Sequence, residues 1–172
     1  MTSELITMTM TNEREKTPVL LPREVFRTVV ELTPLGSIDL IVRDRSSRTL
    51  LGYRLNRPAQ GFWFVPGGRV GKNETLRAAF ARLCLAELGV ELDFGRTRFV
   101  GVFEHLYPDN FSGDSAFGTH YIVLAYSIEA DPDELRLPAD QHNDYTWLTE
   151  QEIRQRDDVH HYSKAYCARL QL

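Results

Sequence analysis

The sequence predicts an α+β fold, a sandwich of helices and strands in a single domain. Strand patterns lie before and after one long helical segment without alternating regularly with it, which is typical of this class. The 172 residues are 42% hydrophobic and 26% charged, enough for one sizeable core. No internal repeat or linker divides residues 18–172, which are therefore expected to form the domain. Residues 1–17 carry few large apolar side chains and are expected to be a disordered extension.

The first helix is expected to start at Pro22, because proline fits a first helical turn, and to end before Thr33-Pro34. Segments rich in apolar, aromatic and β-branched residues predict strands at 37–42, 49–54, 98–106, 119–128 and 145–148. A polar turn over residues 44–48 joins the first two strands. Thr149 and Glu152 form a capping-box pattern that opens a helix over 149–155, and a last helix is expected within 160–170.

The central helix follows a glycine-rich turn at residues 66–68. Asn73 is expected to cap a helix that begins at Glu74, and Gly89 suits its left-handed end. Four apolar side chains at helical spacing predict its buried face: Leu76, Ala79, Phe80 and Leu83.

Glu87 lies in the middle of this apolar face and in the last helical turn, where the helix dipole disfavours an anion. A carboxylate at such a position needs a cation, or else the helix end frays and the side chain reaches solvent. Spacing alone leaves both interpretations open. The glycine-rich turn that precedes the helix favours metal ligation.

Composition excludes several classes of function. The net charge of −4 provides no basic field for nucleic acid or an anionic membrane surface. No apolar run is long enough to span a bilayer and no signal peptide is evident, so the cytoplasm is the expected location. The two cysteines make no disulfide framework, and Cys84, within the central helix, is expected to be a packing residue.

Four arginines border the central helix and its turn: Arg54, Arg57, Arg69 and Arg82. Guanidinium groups bind phosphate bidentately and stay charged at any working pH. The alternative is a solvated charged face, which is the preferred interpretation for Arg57 alone.

Polar residues that precede the 145–148 strand form a further candidate cluster. Gln141 can offer a neutral oxygen to a metal, and His142 titrates near neutrality and suits a general base, although a loop histidine is often a solvated bystander. Residues 107–118 suit a lid over a polar ligand or, alternatively, a mobile hairpin loop. His160 and His161 are expected to be surface or capping residues.

Residues 68–90 resemble the Nudix box, G-x5-E-x7-R-E-U-x-E-E-x-G-U, in which U is an aliphatic residue. Six positions match: Gly68, Glu74, Arg82, Glu87, Gly89 and Val90. Leu83 and Ala86 stand where Nudix pyrophosphohydrolases carry glutamates around their metal cluster. A chain that keeps this scaffold without those carboxylates has either lost its chemistry or changed it.

Longer stretches are similar to the GDP-mannose mannosyl hydrolase branch of the Nudix superfamily, which also lacks the two glutamates. The stretches are NRPAQG-x-WF-x-PGGR, AELG and QH-x-DY-x-W, within a similarity that covers most of residues 20–149. The resemblance implies a Nudix-type α/β/α sandwich with a mixed β-sheet, and a homodimer. It also implies hydrolysis of GDP-mannose, with GDP-glucose as a second candidate, to GDP and free sugar. Water would attack the anomeric carbon with inversion.

The resemblance implies a role for each matching residue. Mg²⁺, with Mn²⁺ as an alternative, would be held by the Gly67 carbonyl, Glu87 and Gln141. His142 would be the general base. Three arginines would neutralise the diphosphate leaving group: Arg54, Arg69 and Arg82. The residues implied to contact or support the substrate are Leu20, Leu21, Phe26, Asp39, Arg54, His105 and Tyr121. For Phe26, a plain core position is the alternative.

Two other functions remain open from the sequence. The chain could be an ordinary pyrophosphohydrolase that cleaves a nucleoside diphosphate sugar at phosphorus, which Leu83 and Ala86 argue against. It could also be a non-catalytic module that senses a nucleotide sugar. A sensor needs no general base, so the presence of His142 beside the arginines argues against that role.

Overall fold

The computed structural model describes residues 21–138 and 142–170, with the backbone alone at residues 142 and 143. The helices and strands run in the order α1 (Arg23–Leu32), β1 (Leu35–Arg43), β2 (Thr49–Arg54), β3 (Trp63–Phe64), β4 (Gly67–Arg69), α2 (Leu76–Leu88), β5 (Arg98–Tyr107), β6 (Thr119–Glu129), β7 (His142–Leu148), α3 (Glu150–Gln155) and α4 (His161–Cys167). Short 3₁₀ helices cover Phe94–Arg96 and Pro132–Glu134. The predicted extension at residues 1–17 lies outside the described residues.

The strands form one seven-stranded mixed sheet within the described residues. Its main path is β3-β2-β1-β6-β5, while β4 pairs with β1 and β7 pairs with β2. β1 and β6 are parallel, from Leu35 opposite Tyr121 to Arg43 opposite Glu129, and the other pairs are antiparallel. The α+β class and the mixed sheet are therefore confirmed.

Side-chain alternation along β1 and β2 divides the core into two layers. Leu40 and Leu50 face the cluster under α2, whereas Ile41 and Leu51 face the cluster under α3 and α4. All four side chains are fully buried, and burial of each contributes about 1.5–3 kcal/mol. Helices thus cover both faces of the sheet, as the sandwich prediction required.

The predicted start of α2 was wrong by two residues. Thr75, not Asn73, is the N-cap, and its hydroxyl accepts a hydrogen bond from the backbone N–H of Ala78 at 3.2 Å. Asn73 lies in the preceding turn with a positive φ of 64°, a conformation that asparagine tolerates better than most residues. The helix ends as expected at Gly89, whose φ is 69°. Leu76, at 38% exposure, lies outside the buried face.

The C-terminal helices follow their sequence signals with one difference. Thr149 and Glu152 form the expected capping box of α3. His160 caps α4 by accepting the N–H of Tyr162, but it is buried rather than at the surface. Among the residues the structure covers, no helix is long and apolar enough to cross a membrane.

Candidate functional site

A cavity of about 180 Å³ opens where β4 pairs with β1. Its volume, bounded by the described residues, is smaller than that of sites that enclose a whole drug-sized ligand, so it accommodates one part of a larger molecule. The lining residues are Ser37, Asp39, Arg54, Pro58, Phe64, Val65, Gly67, Gly68, Arg69, His105, Tyr107 and Tyr121. Six of the sequence-predicted site residues are among them: Asp39, Arg54, Gly67, Arg69, His105 and Tyr121.

The glycines of β4 are required by the close approach of three elements. A Cβ atom at Gly67 would lie 2.5 Å from the carbonyl oxygen of Ile38 and 2.9 Å from Oδ1 of Asp39. A Cβ atom at Gly68 would lie 2.6 Å from Cδ2 of Leu83. The glycine turn is therefore packed tightly between β1 and α2.

The three positions of the box that bear on metal binding have different environments. Leu83 is 3% exposed and fills the space beneath Gly68 with alkyl carbon, and Ala86 lies on the exposed side of α2. Glu87 is only 3% exposed. This burial agrees with the interpretation of Glu87 as a metal ligand. It disagrees with the alternative in which the helix end frays and the side chain reaches solvent. Among the described residues, no three His, Cys, Asp or Glu side chains are grouped to hold a metal ion.

The donor chemistry at this position fits one hard cation. A carboxylate at Glu87 and the backbone carbonyl at Gly67 are oxygen ligands of the kind Mg²⁺ takes, with water and substrate phosphate completing the shell. Burial is the main cause that raises the pKa of Asp39, and the negative charge of Glu87 contributes to the same shift. The third expected ligand, Gln141, lies outside the described residues.

Arg54 and Arg69 both reach the cavity, and each is held in place. Nε of Arg54 donates to the carbonyl oxygen of Pro58 at 3.0 Å. The guanidinium of Arg69 lies over the ring of Phe26 at 4.0 Å from the ring centroid, a cation–π contact. Two fixed guanidinium groups at one cavity make a site for an anion such as phosphate.

Arg82 is not among the residues that line the cavity, and its role at the diphosphate stays a prediction. Its Nε and Nη2 donate to the two carboxylate oxygens of Glu74 at 2.7 and 2.8 Å, and Nη2 also donates to the carbonyl of Arg69 at 2.8 Å. Glu74 accepts a further bond from the N–H of Gly71 at 2.7 Å. The hydrogen bond from Arg82 is the main cause that holds the pKa of Glu74 below its usual range. Arg82 therefore braces the turn that carries the cavity residues.

Two residues that the resemblance implied to contact or support the substrate, Leu21 and Phe26, lie just before α1 and within it. Phe26 is half-buried and packs on Phe111 at 4.7 Å between ring centroids, so it is not a plain core residue. Leu21 is 45% exposed. Leu20 lies outside the described residues.

The segment 107–118 is braced internally and docked on α1. Asn110 is fully buried, and its side-chain amide donates to the carbonyls of Asp114 at 2.7 Å and Phe117 at 2.6 Å. Arg27 of α1 forms a 2.8 Å ion pair with Asp114. Arg57 lies 3.5 Å from Asp109 in a second ion pair, so it does not act as a solvated charge alone. Residues 108–118 are the loop of the antiparallel β5–β6 hairpin, so the hairpin of the alternative interpretation is present, and these contacts hold its loop.

Residue 142 is brought next to the cavity by strand register. In the pairing of β2 with β7, the backbone positions of Arg54 and His142 are partners. Because Arg54 lines the cavity, β7 passes the same wall. The side chain of His142 is outside the described part of the structure.

Tyr166 was not predicted from the sequence, and it lies behind the residues that line the cavity. Its hydroxyl donates to Oδ2 of Asp39 at 2.5 Å and lies 3.2 Å from Nε2 of His105. Burial raises the pKa of Asp39 to about 7, against the lowering effects of the Tyr166 hydrogen bond and of Arg54. Burial, with smaller effects of two neighbouring histidines, lowers the pKa of His105 to about 3. His105 is therefore neutral at physiological pH.

Two neighbouring side chains of the same region tie α4 to the cavity strands. Oγ of Ser163 accepts the N–H of Val65 at 3.2 Å. The hydroxyl of Tyr162 bonds to both the N–H and the carbonyl of Leu106, at 2.6 and 2.9 Å. The only sequence signal for this role is the placement of Tyr162 and Tyr166 four residues apart, on one side of a helix.

Comparison with known proteins places these features in context. The sequence matches the NUDIX domain over residues 33–169. It is 38% identical, over 126 residues covering 73% of this chain and 78% of the relative, to the low-salt glycan biosynthesis protein Agl8 of Haloferax volcanii.

Solved structures share the fold. The MutT NUDIX hydrolase of Burkholderia pseudomallei is 25% identical with a TM-score of 0.66, over 80% of this chain and 98% of that one. The NUDIX domain of Shewanella oneidensis NrtR, solved with ADP ribose, is 15% identical with a TM-score of 0.59, over 88% of this chain and 100% of that one. The likeness to the second shows the fold alone.

Proposed function

Since the chain belongs to the NUDIX domain family, we propose that it hydrolyses a nucleotide sugar of the GDP-mannose type by attack of water at the anomeric carbon. One observation carries the proposal. The positions of two box glutamates hold a packed Leu83 and an exposed Ala86, while the buried Glu87 remains one helical turn after Leu83. This pattern removes carboxylates that a multi-metal site needs for attack at phosphorus, and it leaves ligands for one cation.

The substrate class is supported by the cavity and by two similar proteins. The cavity presents Arg54 and Arg69 for a diphosphate, with polar side chains around them. A relative is named for glycan biosynthesis, and a structurally similar domain was solved with ADP ribose. A sugar linked to a nucleotide diphosphate combines the chemistry of both. GDP-mannose is the proposed substrate and GDP-glucose the second candidate.

The reaction needs a stabilised leaving group and a base for water. Gly67, Glu87 and Gln141 would hold Mg²⁺, or Mn²⁺ in its place. The bound cation would supply positive charge to the diphosphate. Arg54 and Arg69 add to that neutralisation from fixed positions. His142 accepts a proton from water as the water oxygen bonds to the anomeric carbon. The bond from that carbon to the β-phosphate oxygen breaks, and its electron pair leaves with the nucleoside diphosphate, which gives inversion.

The neutral state of His105 fits this assignment of roles. His105 lines the cavity, and burial keeps it uncharged. The positive charge for the diphosphate therefore comes from the arginines and the cation. Tyr121 lines the same wall, and burial raises the pKa of its phenol, so it takes part as a neutral hydrogen-bonding group.

The test is hydrolysis of GDP-mannose with Mg²⁺ in ¹⁸O-labelled water, analysed by mass spectrometry of both products. Label in the sugar supports attack at carbon. Label in GMP or in the sugar phosphate would identify a pyrophosphohydrolase, label in GDP would mean attack at the β-phosphorus, and the absence of products with any nucleotide sugar would identify a binding module.

A His142→Gln variant tests the general base. We expect kcat to fall far more than the affinity for substrate, by the roughly 10²–10⁴-fold typical of a lost base. Equal losses in kcat and affinity, or no loss, would remove His142 from this role. The resemblance also leads us to propose a homodimer, which analytical ultracentrifugation would test.

A further inference from the structure

Three buried polar side chains from distant elements meet at the floor of the cavity. Asp39 of β1, His105 of β5 and Tyr166 of α4 are 7%, 2% and 1% exposed. Asp39 and His105 line the cavity, and Tyr166 lies behind them. Buried polar groups of this kind are costly unless their hydrogen bonds are complete, so the direction of each bond is constrained.

The hydroxyl of Tyr166 has a single proton, and it donates that proton in a hydrogen bond to Asp39. The 2.5 Å contact runs from the phenol oxygen to Oδ2 of the carboxylate, the stronger acceptor of the two neighbours. The phenol oxygen is then left with lone pairs facing Nε2 of His105 at 3.2 Å. A bond between these two atoms requires the proton to be on Nε2.

The ring of His105 is also held in its plane. Tyr162 stacks on it with 3.9 Å between ring centroids and an angle of 12°. Stacking restricts tilting, and the bond to Tyr166 selects between the two orientations that differ by a ring flip. Since His105 is neutral, one nitrogen carries hydrogen and the other accepts.

We propose that Tyr166 is a positioning residue, which holds His105 as the Nε2–H tautomer in the cavity wall and so leaves Nδ1 as the acceptor nitrogen. Its effect on catalysis rests on the function proposed above, whereas its effect on the tautomer does not. A packing role alone is separable, because the Tyr166 ring also meets Phe103 edge-on at 4.8 Å. Tyr166→Phe keeps that ring contact and removes only the hydroxyl.

The direct experiment is long-range ¹H–¹⁵N NMR of the imidazole nitrogens in the full chain. His105 is one of five histidines, so its signals are identified by their loss in His105→Gln. In the unmodified protein we expect the neutral Nε2–H pattern at pH 8, where Asp39 is ionised and accepts the Tyr166 proton. In Tyr166→Phe we expect the pattern to shift toward a mixture of tautomers. A neutral Nδ1–H pattern in the unmodified protein, or an unchanged spectrum in Tyr166→Phe, would overturn the inference.

Tyr126→Phe is the matched control. Tyr126 is also buried, at 8% exposure, but it packs against Phe94 and Phe99 in the α2 layer. Its variant should leave the His105 signals unchanged. A change of equal size in the control would mean that the spectrum reports general loosening of the core rather than the Tyr166 hydroxyl.

Kinetics provide the second readout. Loss of a group that orients a site residue typically reduces activity about 10–100-fold, and we expect kcat/KM for the nucleotide sugar to fall by that factor in Tyr166→Phe but not in Tyr126→Phe. A fall in activity with no change of tautomer would sink the inference. If the unmodified protein hydrolyses no nucleotide sugar, the proposed function fails, while the NMR comparison still decides the role of Tyr166.

Discussion

Replacement of Arg82 with alanine is expected to destabilise the fold while leaving the affinity for substrate little changed. Arg82 binds both oxygens of the Glu74 carboxylate and the carbonyl of Arg69, and it does not line the cavity. The side chain of Glu74 is only 3% exposed. The variant would therefore leave a buried carboxylate whose remaining hydrogen bond is the one from the N–H of Gly71.

The expected loss follows from the number and exposure of these bonds. A hydrogen bond to a charged group contributes about 1.5–3 kcal/mol when buried. The Arg82 side chain is 37% exposed, so solvent screening reduces the contribution of the three bonds by about half. The resulting decrease in the free energy of unfolding is about 2–4 kcal/mol. In a domain of this size each kcal/mol lowers Tm by about 2–4 °C, which gives a fall of about 4–16 °C.

The assay is thermal and urea unfolding of the unmodified protein, Arg82→Ala, Glu74→Gln and the double variant. The double variant should lose less than the sum of the single losses, because it contains no unpaired carboxylate. The pKa of Glu74 is depressed in the folded state, so the stability from this pair is complete above about pH 4.5 and is lost as the pH falls through the depressed pKa. The difference in the free energy of unfolding between the unmodified protein and Arg82→Ala should become smaller as the pH falls through that range.

Steady-state kinetics at neutral pH complete the test. A normal Tm for Arg82→Ala together with a large rise in KM would refute this reasoning. That result would return Arg82 to the diphosphate, where the family resemblance placed it.

Four further variants test the packing, the ionisation and the loop contacts of the site. Gly67→Ala should lower the free energy of unfolding by about 1–3 kcal/mol, because the new Cβ would meet backbone atoms. Gly68→Ala should lower it less, because its Cβ would meet only the flexible end of the Leu83 side chain. Equal losses of Tm in the two variants would contradict this difference. Asp39→Asn should stabilise the protein, measured by urea unfolding in the presence of a chelator, by at most about 4 kcal/mol near pH 8 and by little near pH 4. The stabilisation follows because the pKa of Asp39 is raised to about 7 in the folded state, so ionisation of Asp39 destabilises the fold as the pH rises from 3.8 through 7. A difference in stability between the two proteins that did not change with pH would contradict this explanation. Asn110→Ala should speed proteolysis within residues 107–118, because the amide closes that loop; unchanged cleavage there would show that other contacts hold the loop.

The parts of the fold that sequence could predict are those with strong local signals. The strand over 49–54, the capping box at Thr149 and the helix end at Gly89 each depend on residues close together in the chain. The start of α2 was misplaced because Asn73 and Thr75 are both good N-caps, and local sequence does not show which one adopts the extended backbone that a cap needs.

Other elements have no local signal at all. β4 is two glycines and an arginine, and it is a strand only because β1 pairs with it at residues 37–39. β3 has two residues and is defined in the same way by its partner.

The candidate site divides along the same line. Arg54 and Arg69 could be predicted because both occupy positions to which the family resemblance gives a role, and both reach the cavity. Tyr166 could not, because its partner Asp39 is 127 residues away and no spacing rule connects a C-terminal tyrosine to a strand near the other end of the domain.

That separation has a consequence for synthesis in the cell. Ribosomes add about 5–20 residues per second, so about 6–25 s pass between the emergence of Asp39 and that of Tyr166. β1 lacks its parallel partner β6 until Glu129 has been made, and throughout the interval the buried carboxylate of Asp39 lacks the hydroxyl of Tyr166. Contacts between such distant residues slow folding. The nascent chain therefore carries an open, apolar strand until β6 is made, and the later arrival of α4 completes the floor of the cavity.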